Sequence, residues 1–350
     1  MELTTDGGPL VGDGGRAEVG PGGVAARAVA ESARAALVDD PILAEPPRPA
    51  VDGYGPGAFT CRLAGGGHGA WAAPVVVRVA PLPDLRRERA WHRFCGDHGC
   101  AVPDVVGLVE SDRGDLGALV VAQGGSVSLM EQFGQNPTAI PVLLRWMAEV
   151  HARVHGLPAE AAPPGLASAP LDHLDQLLAR TGLHGRFAEE RAWLDAHAPP
   201  PAARPVVCHG DMQPASVRLE PDEPDRAQVV NWSAARVADA EYDVAVTLLM
   251  FWSVPYLAEG IGQRKMLKTL RDAITDGYRA AYEAVPGRRP LHDERLRYWG
   301  AFHALTWSVR LAAADAAGGP ADPWDPVALV RHVASYRKDL GRRFARLARG

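Results

Sequence analysis

The sequence contains almost no lysine. Only three of its 37 basic residues are lysine, at positions 265, 268 and 338, and arginine supplies the others. Because no lysine precedes position 265, we expect any cationic contact with a phosphate in the first half of the chain to come from arginine. Together with the many Ala, Gly and Pro residues, this bias indicates a GC-rich bacterial genome.

The sequence also lacks an excess of positive charge and is poor in cysteine. Its 37 basic and 42 acidic residues give a net charge of −5, which excludes a general nucleic-acid binder because phosphate contacts need a basic face. The four cysteines, at 61, 95, 100 and 208, do not have the spacing of a disulfide framework. Cys95, His98 and Cys100 lie close together, but no second ligand pair follows at zinc spacing. We expect reduced thiols and no zinc site.

No targeting or membrane-spanning segment is evident. Residues 1–15 have neither the basic region nor the apolar region of a signal peptide. The longest uncharged apolar stretch, residues 244–258, contains Pro255 and is shorter than the ~20 residues that a bilayer span needs. We therefore expect a cytoplasmic protein with no membrane partner.

The 350 residues divide by texture into three sections, and 47% of them are hydrophobic, which excludes a wholly disordered chain. Residues 1–50 are Gly-rich and acidic, and we predict a partly flexible extension with one possible helix at 24–38. Residues 51–125 alternate β-branched runs with turns, whereas residues 126–350 have mainly helical periodicity. The pattern predicts an α+β fold in which a small sheet lobe precedes a larger helical lobe.

Each of the two larger sections has its own pattern of elements. The sheet section predicts strands at 58–63, 75–80, 105–111 and 117–123 and a helix at 85–95. The helical section predicts helices at 139–157, 171–180, 186–197, 242–252, 264–284, 293–316 and 326–347. Between 206 and 232 two short strand-like runs flank a polar loop. A polar loop held inside a helical body is where we expect the chemistry.

Polar side chains gather in and after this loop. His209-Gly210-Asp211 follows the first apolar run, and Asn231 ends the second, 20 residues after Asp211. An Asp on a short loop, backed by a second polar group, suits phosphoryl transfer. One carboxylate can orient or deprotonate an acceptor hydroxyl while other polar groups hold Mg²⁺ against the phosphates.

This arrangement resembles the aminoglycoside phosphotransferase and choline kinase-like family of small-molecule kinases. The resemblance covers about residues 51–345 and rests on the ordered segments VVVRV, VVAQGGSVSL, EVHARVHGL, HGDMQPASV, NW and DAEYD. It implies a two-lobed protein-kinase-like fold with a small antiparallel sheet lobe. It also implies that ATP or GTP, with Mg²⁺, phosphorylates a hydroxyl of an antibiotic, a sugar or another metabolite. The oligomeric state does not follow from the sequence.

The resemblance assigns roles to residues of the helical lobe. Asp211 corresponds to the catalytic aspartate, and His209 to the histidine of the same catalytic loop, which we take to be structural. Asp243 corresponds to an acid that starts the next helix and braces the loop, and Trp232, which follows Asn231 in the motif, is a structural residue near the site. Glu241, Glu259, Asp272 and Asp276 fall where family members bind cationic substrates, so they mildly favour an amine-bearing acceptor.

On the nucleotide side, Arg78 corresponds to the strand residue that faces the α- and β-phosphates, and Glu88 to the helix acid that pairs with it. Gly55 and Gly57 lie where the loop that covers the nucleotide belongs. The stretch from Ala122 to Gly124 corresponds to the hinge whose backbone meets adenine.

Two residues depart from the family pattern. Ser216 stands where the family usually has Asn, and Asn231 where it usually has a metal-binding Asp. Both would hold Mg²⁺, and a neutral amide is a weaker ligand for a hard dication than a carboxylate. The sequence therefore leaves a second hypothesis open, a pseudokinase-like binding or scaffold protein. A third is a different chemistry on the same fold.

Plainer interpretations of the same residues also stay open. Arg78 could lie on an exposed strand face, Glu88 on a solvated helix face, and Asn231 could be a structural cap. The Gly-Pro segment around Gly55 could be an ordinary turn. The aromatic residues of the helical lobe could line an acceptor pocket, although core packing is the stronger interpretation; they are Trp232, Trp252, Trp299, Trp307, Tyr256 and Tyr298.

Overall fold

The computed structural model describes residues 48–49, 59–63, 75–110, 116–125, 127–135, 137–164, 169–220, 223–256, 261–316 and 333–349. Nearly all of the predicted N-terminal extension, including the helix expected at 24–38, lies outside these residues. So do Gly55 and Gly57 and the acid Glu259.

The first part of the chain forms an antiparallel five-stranded sheet. Its strands are β1 (Arg48–Pro49), β2 (Phe59–Leu63), β3 (Val75–Pro81), β4 (Val105–Glu110) and β5 (Leu116–Ala122), in the order β1-β2-β3-β5-β4. β3 is the central strand and is buried along almost its whole length, as its run of valines predicts. Arg78 lies in the middle of this strand, opposite Thr60 on one side and Leu119 on the other.

One helix covers this sheet. It is α1 (Leu82–Asp97), which begins directly after β3 with Pro83 in its first turn, where a missing N–H costs nothing. Its apolar face buries Leu85, Trp91 and Cys95. The prediction of a helix in this segment is confirmed, although the helix is longer at both ends than predicted.

The rest of the chain is mainly helical. The helices are α2 (Leu129–Gln135), α3 (Ile140–His155), α4 (Pro170–Thr181), α5 (Ala188–Ala196), α6 (Ala240–Ser253), α7 (Ile261–Glu283), α8 (Asp293–Ala316) and α9 (Val333–Arg349). α3 packs on α7, and α8 packs on α6 and α9. Five of the six aromatic residues considered for an acceptor pocket are buried in the core, namely Trp232, Trp252, Tyr256, Tyr298 and Trp307, whereas Trp299 is partly buried. The core interpretation is therefore the better one for them.

The polar loop is held by short strands, but not in the way that the sequence suggests. β7 (Val206–Cys208) pairs with β10 (Arg236–Ala238), a strand that the sequence did not predict. β8 (Val217–Glu220) pairs with β9 (Glu223–Val229) and with β6 (Val127–Ser128). The two strand-like runs around the loop, β7 and β9, thus belong to different sheets. The sequence did not predict β10 because a three-residue strand has too short a pattern to be recognised.

Small antiparallel sheets beside a larger helical region confirm the predicted fold class. Cys95, Cys100 and Cys208 are buried and unpaired, as expected for reduced thiols. Among the described helices, none combines the length and apolar character needed to cross a bilayer.

Candidate active site

The loop His209-Gly210-Asp211 turns sharply between β7 and β8. Gly210 has φ of 82°, a left-handed conformation that favours glycine. A Cβ at this position would also overlap the carbonyl oxygen of Ala234. Glycine is therefore required at this turn both by its backbone conformation and by the approach of a second chain segment.

His209 connects two segments of the backbone around the loop. Its Nε2 lies 2.9 Å from the carbonyl oxygen of Val230, and its Nδ1 accepts the backbone N–H of Asp211 at 3.3 Å. These partners require the neutral imidazole with its proton on Nε2. Burial lowers the pKa of His209, which favours that neutral form. The ring thus ties Asp211 to the end of β9, in keeping with its predicted structural role.

The two carboxylate oxygens of Asp211 differ in their hydrogen bonding. Its Oδ2 accepts hydrogen bonds from the amides of Gln213 at 3.2 Å and Asn231 at 3.3 Å. Within the described part of the chain, no group donates to Oδ1. The side chain is partly exposed, so Oδ1 is available to a ligand.

The carboxyl of Asp211 is a weaker acid than an ordinary aspartate side chain. Burial raises its pKa to about 7, although the guanidinium of Arg310 and the amide of Gln213 act in the opposite direction. A group with a pKa near the working pH is well suited to accept and release a proton. Sequence reasoning missed both Gln213 and Arg310; Gln213 lies within the HGDMQP motif, which was the available signal for it.

A chain of contacts joins the sheet lobe to Asp211. Arg78 Nε lies 3.1 Å from Glu88 Oε2, and both side chains are buried. Arg78 Nη1 donates to Asn231 Oδ1 at 2.9 Å, and Asn231 in turn contacts Asp211. The alternatives that placed Arg78 and Glu88 on solvent-exposed faces are therefore wrong.

Asn231 occupies an unusual backbone conformation. Its φ and ψ are 68° and 66°, in the left-handed region that Asn and Asp tolerate better than other non-glycine residues. The turn that follows, Trp232–Ala234, contacts α1, where Arg87 Nη2 donates to the carbonyl oxygen of Ser233 at 3.3 Å. Trp232 is fully buried and donates from Nε1 to Val229. The turn fixes the side chain of Asn231 between Arg78 and Asp211.

The two residues expected to hold Mg²⁺ do not fit that task as they are arranged. The single side-chain oxygen of Asn231 already accepts hydrogen bonds from Arg78 and from Ser233 Oγ at 2.9 Å. The hydroxyl of Ser216 is buried and donates to the carbonyl oxygen of Asp211 at 3.1 Å. Mg²⁺ usually requires carboxylates, and here a guanidinium already contacts the amide oxygen where a carboxylate would bind the ion.

Asp243 holds the backbone of the loop. Its two carboxylate oxygens accept the backbone N–H groups of His209 at 2.6 Å and of Gly210 at 2.8 Å. Nε2 of His151 and Nε2 of His155 lie 3.1 and 3.3 Å from its Oδ2. Although burial acts to raise the pKa of Asp243, these imidazoles keep that pKa well below the ordinary value. The geometry places this side chain where the predicted brace requires it.

Two tyrosines complete this buried network. Nδ1 of His155 lies 2.6 Å from the hydroxyl of Tyr282, and Nδ1 of His151 contacts the hydroxyl of Tyr278 in the same way. Since the carboxylate of Asp243 can only accept, each Nε2 carries the proton and each Nδ1 accepts a phenolic O–H. Sequence reasoning assigned no role to these four residues, although the HARVH segment places two histidines on one helix face.

The same histidines and Asp243 have the composition of a metal site. One ligand atom from each of the three residues lies within 4.8 Å of the others. The two Asp243 oxygens, however, already accept two backbone N–H groups, and each imidazole has a tyrosine partner. The cluster is therefore a hydrogen-bonded brace that connects α3, α6, α7 and the loop.

The predicted hinge contacts both lobes. Ala122 donates its N–H to the carbonyl oxygen of Asp104 at 2.8 Å. Arg218 is buried, and its guanidinium donates to the carbonyl oxygens of Gly124 at 3.4 Å and Gly125 at 3.1 Å. A Cβ on Gly124 would overlap Pro103 and Gln228. The hinge is thus a close crossing of chain segments, and adenine binding by its backbone stays a prediction.

The sequence matches the model of the phosphotransferase enzyme family over residues 61–292. The chain belongs to this family. Its members are small-molecule phosphotransferases, as the resemblance implied, and the matched range includes both the Arg78–Glu88 pair and the loop His209-Gly210-Asp211. A comparison with curated proteins finds no match to the sequence.

Solved structures of this family have a similar fold. The aminoglycoside phosphotransferase APH(3'')-Id from Streptomyces rimosus is 20% identical, with a TM-score of 0.55, and the match covers 75% of this chain and 93% of that one. An aminoglycoside-3'-phosphotransferase of type VIII is 19% identical, with a TM-score of 0.55, over 78% and 97% of the two chains. A choline/ethanolamine kinase family protein from Mesorhizobium loti is 16% identical, with a TM-score of 0.51, over 92% and 100%. At these identities the likeness concerns the fold alone.

Proposed function

We propose that this phosphotransferase transfers the γ-phosphate of ATP or GTP to a hydroxyl of a small molecule, with Asp211 as the base. The observation that carries the proposal is the environment of Asp211. Two amides hold its Oδ2, no described group donates to its Oδ1, and burial raises its pKa to about 7. This is the arrangement that a positioned general base needs.

In the proposed reaction the acceptor hydroxyl lies at Oδ1 of Asp211 and gives up its proton there as its oxygen attacks the γ-phosphorus. The bond between that phosphorus and the bridging oxygen breaks, and the nucleoside diphosphate leaves. Arg78 supplies positive charge towards the phosphates, and Glu88 fixes its guanidinium. No step is assigned to Mg²⁺, because Ser216 and Asn231 do not fit it; a bound metal would supply further charge stabilisation.

Related structures support nucleotide use and a small-molecule acceptor. APH(3'')-Id from Streptomyces rimosus has been solved with ADP and streptomycin, and a variant of APH(4)-Ia with AMP-PNP and hygromycin B. In this chain, two of the acids that favoured an amine-bearing acceptor already have partners within the protein. Glu241 is buried and accepts the backbone N–H of His292, and Asp272 pairs with Arg271. We therefore propose a hydroxylated acceptor without assigning it a charge.

The first test is calorimetric titration of ATP and GTP, each with and without Mg²⁺, on the purified full chain. We expect micromolar binding of at least one nucleotide. A screen of acceptor alcohols then compares the wild type with Asp211→Asn, which we expect to lower turnover by about 10²- to 10⁴-fold while nucleotide affinity stays the same. Asp195→Asn, at an exposed acid, is the matched control.

Two results would contradict the proposal. One is the absence of nucleotide binding even at millimolar concentration. The other is an Asp211→Asn variant that turns over an acceptor as fast as the wild type does.

A second function, a pseudokinase-like binding protein, is favoured by the contacts of Asn231. Its oxygen is engaged by Arg78, and Ser216 is turned towards the backbone, so neither side chain offers a metal the carboxylate it prefers. The double variant Ser216→Asn/Asn231→Asp separates the two functions. If it gains nucleotide affinity and turnover by orders of magnitude in the presence of Mg²⁺, the natural protein is an attenuated or abandoned kinase. If both stay as in the wild type, the natural side chains are sufficient.

A further inference from the structure

A strongly basic pocket lies in the helical lobe, between α7 and α9. Its volume is about 210 Å³. Five cationic side chains, one aspartate and one tryptophan line it: Lys268, Arg271, Arg342, Arg343, Arg346, Asp339 and Trp252. In a chain whose net charge is −5, this concentration of positive charge needs an explanation.

Acidic side chains compensate only part of this charge. Asp339 lies 3.5 Å from Lys268 and 3.4 Å from Arg342, and also accepts the hydroxyl of Tyr256. Arg271 pairs with Asp272, whose side chain is 76% exposed and therefore well screened by water. In the part of the chain that the structure describes, Arg343 and Arg346 form no ion pair.

Two of these cations, Arg271 and Arg343, are held in place against Trp252. The guanidinium of Arg343 lies 5.0 Å from the ring centre of Trp252, and that of Arg271 lies 5.3 Å from it. Nε of Arg343 is buried without a hydrogen-bond partner among the described residues. Burial, together with the nearby charges of Arg271 and Arg346, lowers the pKa of Arg343 to about 10. An anion in the pocket would relieve both the repulsion and the missing hydrogen bond.

The pocket is separate from the catalytic loop. α6 carries Asp243 in its first turn and Trp252 near its end. The two residues are nine positions apart along the helix, which corresponds to about 13 Å at ~1.5 Å per residue. The pocket therefore lies at the far end of the helix that braces the loop.

We propose that this pocket binds a small phosphate-bearing anion. Arginine forks match the planar arrangement of phosphate oxygens and bind them bidentately. The volume of about 210 Å³ corresponds to about seven waters at ~30 Å³ each. That is room for a phosphate with a small organic group, and less than the ~300 Å³ typical of sites for larger ligands. The inference does not rest on the proposed kinase function.

Calorimetric titration of the full chain with inorganic phosphate and with glycerol 3-phosphate, at constant ionic strength in chloride, tests the proposal. We expect saturable binding in the millimolar range or tighter. The variant Arg346→Gln, at an exposed position that does not endanger folding, should weaken binding at least ten-fold, a loss of about 1.4 kcal/mol. Arg349→Gln removes the same charge from the same helix outside the pocket and should leave the affinity unchanged.

The variant Arg78→Gln distinguishes this pocket from the proposed nucleotide site. Phosphate affinity that survives Arg78→Gln but not Arg346→Gln supports the proposal. The reverse pattern would overturn it by placing the anion in the catalytic cleft. It would also be overturned if neither anion showed saturable binding, or if Arg346→Gln and Arg349→Gln weakened binding equally, because the effect would then be one of general charge. Nucleotide titrations of the same variants report on the kinase function independently.

Discussion

Asp211 is a carboxylate in an environment that disfavours its charge. Its pKa of about 7 exceeds the value of ~3.9 for Asp in an unfolded chain. At pH values between these two pKa values, Asp211 is therefore protonated in the folded protein and ionised in the unfolded chain. A raised carboxyl pKa costs no stability at low pH, but it costs progressively more as pH rises through this window.

The first prediction follows from the direction of this pH dependence of stability. Relative to the wild type, Asp211→Asn should gain about 1–2 kcal/mol in free energy of unfolding between pH 5 and pH 9, a range that allows for screening of the partly exposed group. Urea unfolding at both pH values measures the difference. Asp195→Asn is the control, and a gain independent of pH would contradict the raised pKa. A variant that is more stable and less active is the expected outcome if Asp211 is the proposed base, because a buried carboxylate costs stability.

Gly210 permits a test of the loop geometry. Gly210→Ala should lower the free energy of unfolding by more than the ~1 kcal/mol that a left-handed alanine costs, because its Cβ would overlap Ala234. The matched control is Gly182→Ala, since Gly182 has a similar φ of 66° and nothing within 4 Å of its Cβ position. Equal losses in the two variants, measured by urea unfolding, would refute the close approach.

Among the helices, α3 and α7 reach the loop at residues 209–211 through Asp243. Their histidines and tyrosines stabilise its charge, and that charge stabilises two loop N–H groups. The sequence placed His151 and His155 on one helix face, four residues apart. It did not predict that this face would meet α6, because the meeting depends on how α3 packs on α7 and on the loop.

The third prediction concerns this brace. Asp243→Asn should lower the free energy of unfolding by about 3–5 kcal/mol at pH 7, the usual loss when one partner of a buried charged network is removed. Because the pKa of Asp243 is held well below its ordinary value, the stabilisation is fully present above the unfolded pKa of ~3.9. It is lost progressively as pH falls from there through the lower pKa of the folded state. Urea unfolding at pH 7 and pH 3 should show a larger difference between variant and wild type at pH 7 than at pH 3. A loss of similar size at both would argue against an electrostatic role.

For the protein as a whole, Arg78, Asn231 and Asp211 link the sheet lobe to the helical lobe. A nucleotide that contacts this chain of residues should stabilise the folded state. At a concentration 100 times its Kd, ATP or GTP should raise the free energy of unfolding by about 2.7 kcal/mol. Unfolding in urea with and without nucleotide measures the effect, and Arg78→Gln should reduce it. If the wild type gains nothing from either nucleotide, the proposed nucleotide site does not exist.

Local patterns in the sequence specified most of the elements and the position of the loop that we propose to be catalytic. The valine run of β3, the apolar periodicity of the helices and the HGD segment each depend on neighbouring residues, so the sequence alone determined them. It also identified Ser216 and Asn231 as departures from the family pattern. The sequence did not show which contacts those two residues make. Hydrogen bonding between residues 153 positions apart, such as Arg78 and Asn231, has no local signature.

Only the tertiary structure decided which long-range partners these residues have. It placed Arg78 against both Glu88 and Asn231, raised the pKa of Asp211 by burial, and brought cations from α7 and α9 together around Trp252. Each of these properties depends on distance and on exclusion of water, and packing sets both. Sequence spacing fixes what lies along one helix or strand, whereas the contacts between elements determine charge, burial and reactivity.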